Sequence, residues 1–288
     1  MLKSNVMNFI GCDAPYGEAD VVLFGAPFDS TTSFRPGTRF ASAAIRNDSY
    51  GLETYSPYQD KDMSQCRIFD SGDLELPFGD PGKALEDIKE RTDIILGDGK
   101  IPFMIGGEHL VTLGAVRAAV KKYPDLHIIH LDAHTDLRED YLGNPLSHAC
   151  VLRRCWDLLG DGRIWQFGIR SGEGYEFQWA REGHTHLHPF DLEGMEEAVA
   201  ALSGKPVYFT LDLDVLDPSV FPGTGTPEPG GVSFVELMQA VIHICSHVHL
   251  VGCDVNELCP IYDQSGVSTA VACKIIREML LAMENGGR

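Results

Sequence analysis

Five short apolar runs set the frame of this sequence: Val21-Val-Leu-Phe24, Ile101-Pro-Phe-Met-Ile105, Ile128-Ile-His-Leu131, Val207-Tyr-Phe-Thr-Leu211 and His249-Leu-Val251. Runs this short and this uniformly apolar read as strands buried on both faces, which is what a parallel sheet covered by helices demands. Helical patterns lie between them. Asp80-Pro81 offers an N-cap with proline at the first helical position, Leu85, Ile88, Ile95 and Leu96 mark one apolar face, and Gly97 ends the helix. Ser233-Phe-Val-Glu236 is a capping box opening a second helix through Leu237, Ala240, Val241 and Ile244. A final amphipathic helix is expected over about 269–283. Repeated strand-then-helix order predicts a parallel α/β sheet with right-handed crossovers. No repeat, low-complexity tract or linker interrupts it, so a single domain over 1–288 is the economical reading.

What ends the strands is more informative than the strands themselves. Ile128-Ile-His-Leu131 runs directly into Asp132-Ala-His-Thr-Asp136. Alternate side chains of an extended segment share a face, so Asp132, His134 and Asp136 can converge on one point. Val207-Tyr-Phe-Thr-Leu211 delivers Asp212 and Asp214 in the same way, and Ile101-Pro-Phe-Met-Ile105 leads through two glycines to Glu108 and His109. Three strands therefore bring two histidines and four aspartates to their C-terminal ends, the edge at which open α/β sheets bind ligands.

Four carboxylates gathered in an apolar interior repel one another and are costly to bury, and divalent cations remove that cost. A lone D-x-D after a strand, or one histidine near its end, is weak evidence. The conjunction points to metal. Carboxylates and imidazoles without a thiolate favour Mn²⁺ over zinc or copper. Six ligands exceed what one ion in an open site needs, and two ions on the order of 3.5–4 Å apart fit better.

The formal charge of −19 disfavours nucleic acid and anionic membrane as partners and suits a cationic substrate. Eight cysteines without a C-x-x-C pair, several inside apolar runs, read as unpaired thiols of a cytoplasmic protein. Residues 1–11 include Lys3, Asn5 and Asn8, so they lack the apolar block of a signal peptide, and no run is long enough for a membrane span. His184, His186 and His188 alternate, which reads as a polar strand face. His243, His247 and His249 lie around a helix end.

Gly106-Gly-Glu-His109, Asp132-Ala-His-Thr-Asp136 and Asp212-Leu-Asp-Val-Leu-Asp-Pro218 together resemble the three signatures of the arginase/agmatinase ureohydrolases. Pro222-Gly-Thr-Gly-Thr-Pro227, Arg35-Pro-Gly-Thr-Arg-Phe40 and Gly252-Cys-Asp-Val-Asn-Glu-Leu-Cys-Pro-Ile-Tyr-Asp263 are similar to further family segments. The resemblance implies a three-layer α/β/α fold with a central parallel sheet of about eight strands, and a homo-oligomer, trimer or hexamer. It gives His109, Asp132, Asp136 and Asp212 to one Mn²⁺ and His134, Asp132, Asp212 and Asp214 to the other. It makes His148 a mobile proton-transfer group, and Glu257 the guanidinium anchor with Thr226 nearby. Ala41-Ser42, Asn256, Cys259 and Cys150 depart from the family pattern without removing any of these groups.

The implied reaction is hydrolysis of a guanidinium by a hydroxide bridging the two ions, oriented by Asp136. Arginine-cleaving relatives carry Asn two residues after D-x-H-x-D; Arg138 stands there in this chain, and Ser171-Gly-Glu173 follows Gly168-Ile-Arg170. That pattern is similar to bacterial agmatinases, whose substrate agmatine yields urea and putrescine, a polyamine precursor. If Arg138 faces the cleft, it would instead draw a guanidino acid such as 4-guanidinobutyrate. A non-catalytic relative that keeps the fold for binding is the remaining alternative.

Overall fold

The computed structural model describes residues 7–286, with side chains described to residue 283. The single-domain reading over 1–288 and the reading of Lys3 and Asn5 as excluding a leader extend outside the described residues.

Among the described residues, ten strands alternate with eight α-helices. The strands are β1 (Val21–Gly25), β2 (Tyr55–Ser56), β3 (Lys61–Asp62), β4 (Ile68–Asp73), β5 (Ile101–Ile105), β6 (His127–Leu131), β7 (Ile164–Ile169), β8 (His186–Pro189), β9 (Pro206–Asp212) and β10 (His249–Asn256). The helices are α1 (Ala41–Ser49), α2 (Pro81–Gly97), α3 (Thr112–Lys122), α4 (Val151–Leu159), α5 (Gly174–Trp179), α6 (Met195–Ala201), α7 (Phe234–His247) and α8 (Val267–Gly286). β2 and β3 form a small antiparallel hairpin. The other eight strands make one sheet in the order β4-β1-β5-β10-β9-β6-β7-β8, parallel at every pairing.

Side-chain alternation sorts this sheet into two cores. Val21, Leu23, Phe103, Ile105, Ile129, Leu131, Phe209 and Leu211 face a core closed by α1, α6, α7 and α8. Val22, Phe24, Met104, Ile128 and Tyr208 face another, closed by α2, α3 and α4. The strands are apolar on both faces because both faces are covered. The result is the expected three-layer α/β/α arrangement.

Helix ends follow the sequence closely. The Asp80 carboxylate accepts the Lys83 amide, and Ser233 and Glu236 cap each other reciprocally. Two of the expected elements have different bounds. The final helix begins at Val267, not near 269, because Asp263 receives the Ser268 amide and hydroxyl and starts the turn early. β10 continues past Val251 to Asn256, through Asp254 and Asn256. Those polar side chains break the apolar run in sequence, but they are buried and paired with Tyr208, Thr210 and Thr112.

Candidate metal centre

The sheet's four central strands, β5, β10, β9 and β6, aim their C-terminal ends at one place. β5 leaves through Gly106 and Gly107. A Cβ on Gly107 would fall 2.0 Å from the Phe28 carbonyl oxygen, so only glycine lets this turn pass the end of β1. That close passage carries Glu108 and His109 inward, both fully buried. β6 delivers Asp132 and His134, β9 delivers Asp212 and Asp214, and β10 delivers Glu257. Asp136 (φ 52°) and Glu257 (φ 65°) both adopt left-handed backbone, uncommon outside glycine and a recurrent mark of functional sites.

The six residues expected as ligands form one cluster. His109 Nδ1 lies 3.0 Å from Asp132 Oδ2, 3.3 Å from Asp136 Oδ2 and 3.3 Å from Asp212 Oδ2. His134 Nδ1 lies 3.0 Å from Asp214 Oδ2 and 3.4 Å from Asp132 Oδ1. The two groups meet at Asp132.

Hydrogen bonds behind His109 fix which nitrogen faces the carboxylates. The Thr210 hydroxyl donates to Asp254 Oδ1 at 2.6 Å, which leaves its oxygen to accept from His109 Nε2 at 2.8 Å. Nε2 therefore carries the ring proton and Nδ1 presents a lone pair. That buried Nδ1 makes no well-formed hydrogen bond, although three carboxylate oxygens surround it. Three carboxylates around that nitrogen require a positive charge, supplied by a metal ion at the lone pair or by a second proton on the ring; burial would depress the imidazole, but Asp132, Asp136 and Asp212 raise it well above its usual value. Asp212 reports the same crowding: burial, then the charges of Asp214 and Asp132, push its carboxyl well above the usual range. Asp132 moves the other way; burial would raise it, but His130, His109 and His134 hold it well below. Oxygen and imidazole donors with no thiolate fit a hard divalent ion such as Mn²⁺.

The cavity above this cluster measures about 320 Å³ and is lined by Ser33, His134, Asp136, His148, Asp212 and Thr226 among others. Glu257 is buried below it; its Oε1 accepts the His109 amide at 2.8 Å and lies 3.5 Å from His148 Nδ1. Burial alone would depress the His148 imidazole, but the Glu257 contact, with Asp136 and Glu108 beyond, raises it to about 9. Thr226 Oγ1 reaches Asp214 Oδ2 at 3.4 Å.

Arg138 also lines the cavity, at its mouth. Its guanidinium is held by Glu173 Oε1 at 3.2 Å, lies 3.9 Å from Glu176 Oε2 and sits over the Tyr141 ring at 5.3 Å. A larger cavity of about 470 Å³ lies against the opposite edge of the sheet, beside Lys100 and His249, and contains none of these residues.

His148 is anchored by contacts from far away in the sequence. It is only 7% exposed and sits in a short 3-10 turn at 148–150, with the Ser33 amide 3.1 Å and the Ser33 hydroxyl 2.9 Å from Nε2. Both ring contacts come from one residue 115 positions away in sequence. Four further residues were not singled out from the sequence. His130 donates from Nε2 to Asp132 Oδ2 at 2.8 Å, with Gln166 donating to its Nδ1. Glu108, Thr210 and Asp254 are the others. His130 and Thr210 left a usable signal, since each precedes an aspartate of the cluster, Asp132 or Asp212, by two residues on the same strand face.

The comparisons with known proteins follow this geometry. The arginase family matches residues 19–282 of the chain. The agmatinase of Bacillus subtilis is 50% identical over 275 residues, covering 95% of each chain. The guanidinobutyrase of Pseudomonas aeruginosa is 33% identical over 281 residues, 92% of this chain and 86% of that one. The crystal structure of agmatine ureohydrolase from Thermoplasma volcanium superposes with a TM-score of 0.89 at 34% identity, covering 98% of this chain and 96% of that one. With that likeness spanning the whole sheet and the carboxylate–histidine cluster at its centre, the chain belongs to the arginase family and is a ureohydrolase.

Proposed function

We propose that the chain hydrolyses agmatine to urea and putrescine at a site holding two Mn²⁺ ions. His109, Asp132, Asp136 and Asp212 would hold one ion, and His134, Asp132, Asp212 and Asp214 the other. The observation that carries this reading is His109 Nδ1, buried among three carboxylates without a well-formed hydrogen bond. When bound, such a pair of ions supplies Lewis acidity and makes water a nucleophile at neutral pH.

The chain's own residues supply the rest. Glu257 pairs with the substrate guanidinium in a dry site, which both binds it and orients its carbon. Asp136 accepts a hydrogen bond from the attacking water. Water adds its oxygen to the guanidinium carbon, the bond from that carbon to the alkyl-bearing nitrogen breaks, and that nitrogen must take up a proton to leave as the amine. His148 holds a proton at Nδ1 against Glu257 and is the group that can hand it over.

Tail selection follows from charge. Away from the residues given to the ions, Arg138 lines the cavity beside Glu173 and Glu176, one cation against two carboxylates. That balance favours the ammonium tail of agmatine over the carboxylate of 4-guanidinobutyrate, the second substrate to test. Intact catalytic groups argue against a non-catalytic role. A homo-oligomer, trimer or hexamer, in a reducing compartment such as the cytoplasm completes the reading, consistent with an absence of disulfides among the described cysteines. Among the described residues no helix is long and apolar enough to cross a membrane.

Urea release by Mn²⁺-loaded protein from agmatine, arginine and 4-guanidinobutyrate, measured side by side, tests the assignment. A higher kcat/KM for 4-guanidinobutyrate than for agmatine would overturn the tail assignment. No release from any of the three would overturn the reaction.

A further inference from the structure

Residues 29–33, leaving β1, form the wall against which His148 rests. Thr31 Oγ1 accepts the His148 amide at 3.1 Å, and Ser33 meets the far ring nitrogen with both amide and hydroxyl. Neither residue belongs to a helix or strand, so something else must fix their positions. Glu108 does so. Its carboxylate accepts the Thr31 amide at 2.9 Å, the Thr31 hydroxyl at 2.5 Å and the Thr32 hydroxyl at 2.9 Å, while its own amide donates to the Phe28 carbonyl at 2.8 Å. Glu108 is fully buried, and every partner of its carboxylate lies on this one segment. Such a group is expensive to bury, and its hydrogen bonds are expensive to break.

We infer that Glu108 is the positioning residue for His148: by gripping Thr31 and Thr32 it fixes residues 31–33, and through them the orientation of the His148 ring. The inference rests on His148 moving the proton to the leaving amine. Glu108 touches neither substrate nor the reacting atoms on this account. It acts through two links, one to the His148 backbone and one to its ring. A ring displaced by about 1 Å from its working position costs on the order of 10²-fold in rate.

Glu108→Gln keeps the shape but leaves one acceptor oxygen where two served three donors. Thr31→Val removes the hydroxyl that joins Glu108 to the His148 amide, in a half-buried residue whose replacement leaves the core intact. Both variants, with His148→Asn and Glu108→Gln/His148→Asn, are loaded with Mn²⁺ and assayed for metal content, kcat and KM, with and without added imidazole. The expected result is a fall in kcat of about 10- to 100-fold for Glu108→Gln and Thr31→Val. Metal content and KM should hold near wild type, imidazole should restore part of the rate, and Glu108→Gln should cost little more once His148 is gone. Loss of metal, a loss confined to KM, a loss imidazole does not relieve, or full additivity with His148→Asn would each overturn the inference. Normal turnover of His148→Asn itself would instead bring down the proton-transfer reading, and this inference with it. His148→Asn slowed and rescued while Glu108→Gln is neither isolates the failure to Glu108.

Discussion

Replacing Glu257 by Gln removes one buried negative charge beside His148 while keeping the side chain's size and one acceptor oxygen. The retained oxygen can still receive the His109 amide, now 2.8 Å away, so the turn that carries a ligand of the metal cluster should survive. What is lost is the charge facing His148 Nδ1 at 3.5 Å and, in the complex, the charge facing the substrate guanidinium. Glu257 is 2% exposed, so neither interaction is screened by water. Breaking one partner of a buried charged pair typically costs about 3–5 kcal/mol. At 1.36 kcal/mol per decade that is roughly 10²–10³-fold or more in kcat/KM. Because the same contact holds the carbon in line for attack, kcat and KM should both worsen. His148 supplies an internal check: Glu257 helps raise its imidazole to about 9, so removing the charge should move the basic group downward in pH. Steady-state rates at low and high ionic strength separate this account from long-range attraction, which is screened within about 10 Å at 0.1 M salt. A loss under about tenfold that added salt erases would refute the anchor role.

Protein saturated with Mn²⁺ should bind two ions per chain and lose activity on chelation; a stoichiometry of one or none, by elemental analysis, would refute the two-ion reading. His148→Asn should lower kcat by roughly 10²–10⁴-fold with metal content unchanged, and near-normal turnover would mean the proton travels another way. Burial would raise the Asp263 carboxyl, but the hydroxyls and amides of Ser265 and Ser268 together outweigh it and hold the group at about 2, below its unfolded value of about 3.9. A depressed carboxyl stabilises the fold above its unfolded pKa and loses that contribution as pH falls through the folded one. Asp263→Ala should therefore lower the Tm at pH 7 by the equivalent of about 0.5–2 kcal/mol, with the gap to wild type closing between about pH 4 and pH 2. A gap constant with pH, by calorimetry, would remove the charge from the explanation.

The carboxylate–histidine cluster was legible because each of its residues sits within a few positions of an apolar run, and strand geometry alone converts that spacing into direction. Asp132, His134 and Asp136 follow one strand, Asp212 and Asp214 another, and no distant contact is needed to foresee their convergence. Residues that act through remote partners were not legible. Glu108 and Thr31 are 77 positions apart and His148 and Ser33 are 115, so nothing local distinguishes a gripped histidine from a loose one. β10 was read short for a related reason. Asp254 and Asn256 look like the polar end of a strand until Tyr208, Thr210 and Thr112, brought alongside by the fold, satisfy them. β7 was missed because Gln166 and Gly168 interrupt its apolar run; Gln166 is fully buried, donating to the Thr135 carbonyl and accepting from Thr185.

The order of strands in the sheet also dictates an order of assembly. β5 and β6 are consecutive in the chain but never touch; β10 and β9, made last, stand between them. A nascent chain ending before residue 206 can pair β4, β1 and β5 on one side and β6, β7 and β8 on the other, but it has nothing to join them. Each half then exposes one apolar strand edge, a hazard for misassociation until the final third arrives. Inserting two parallel strands between finished halves requires distant segments to meet, which makes this step slow. The acidic cluster is built from both halves and both late strands, so the aspartates after β6 and those after β9 are not brought against one another until the sheet closes. If the site takes ions as proposed, the full donor set exists only in the closed sheet, and binding there would favour closure.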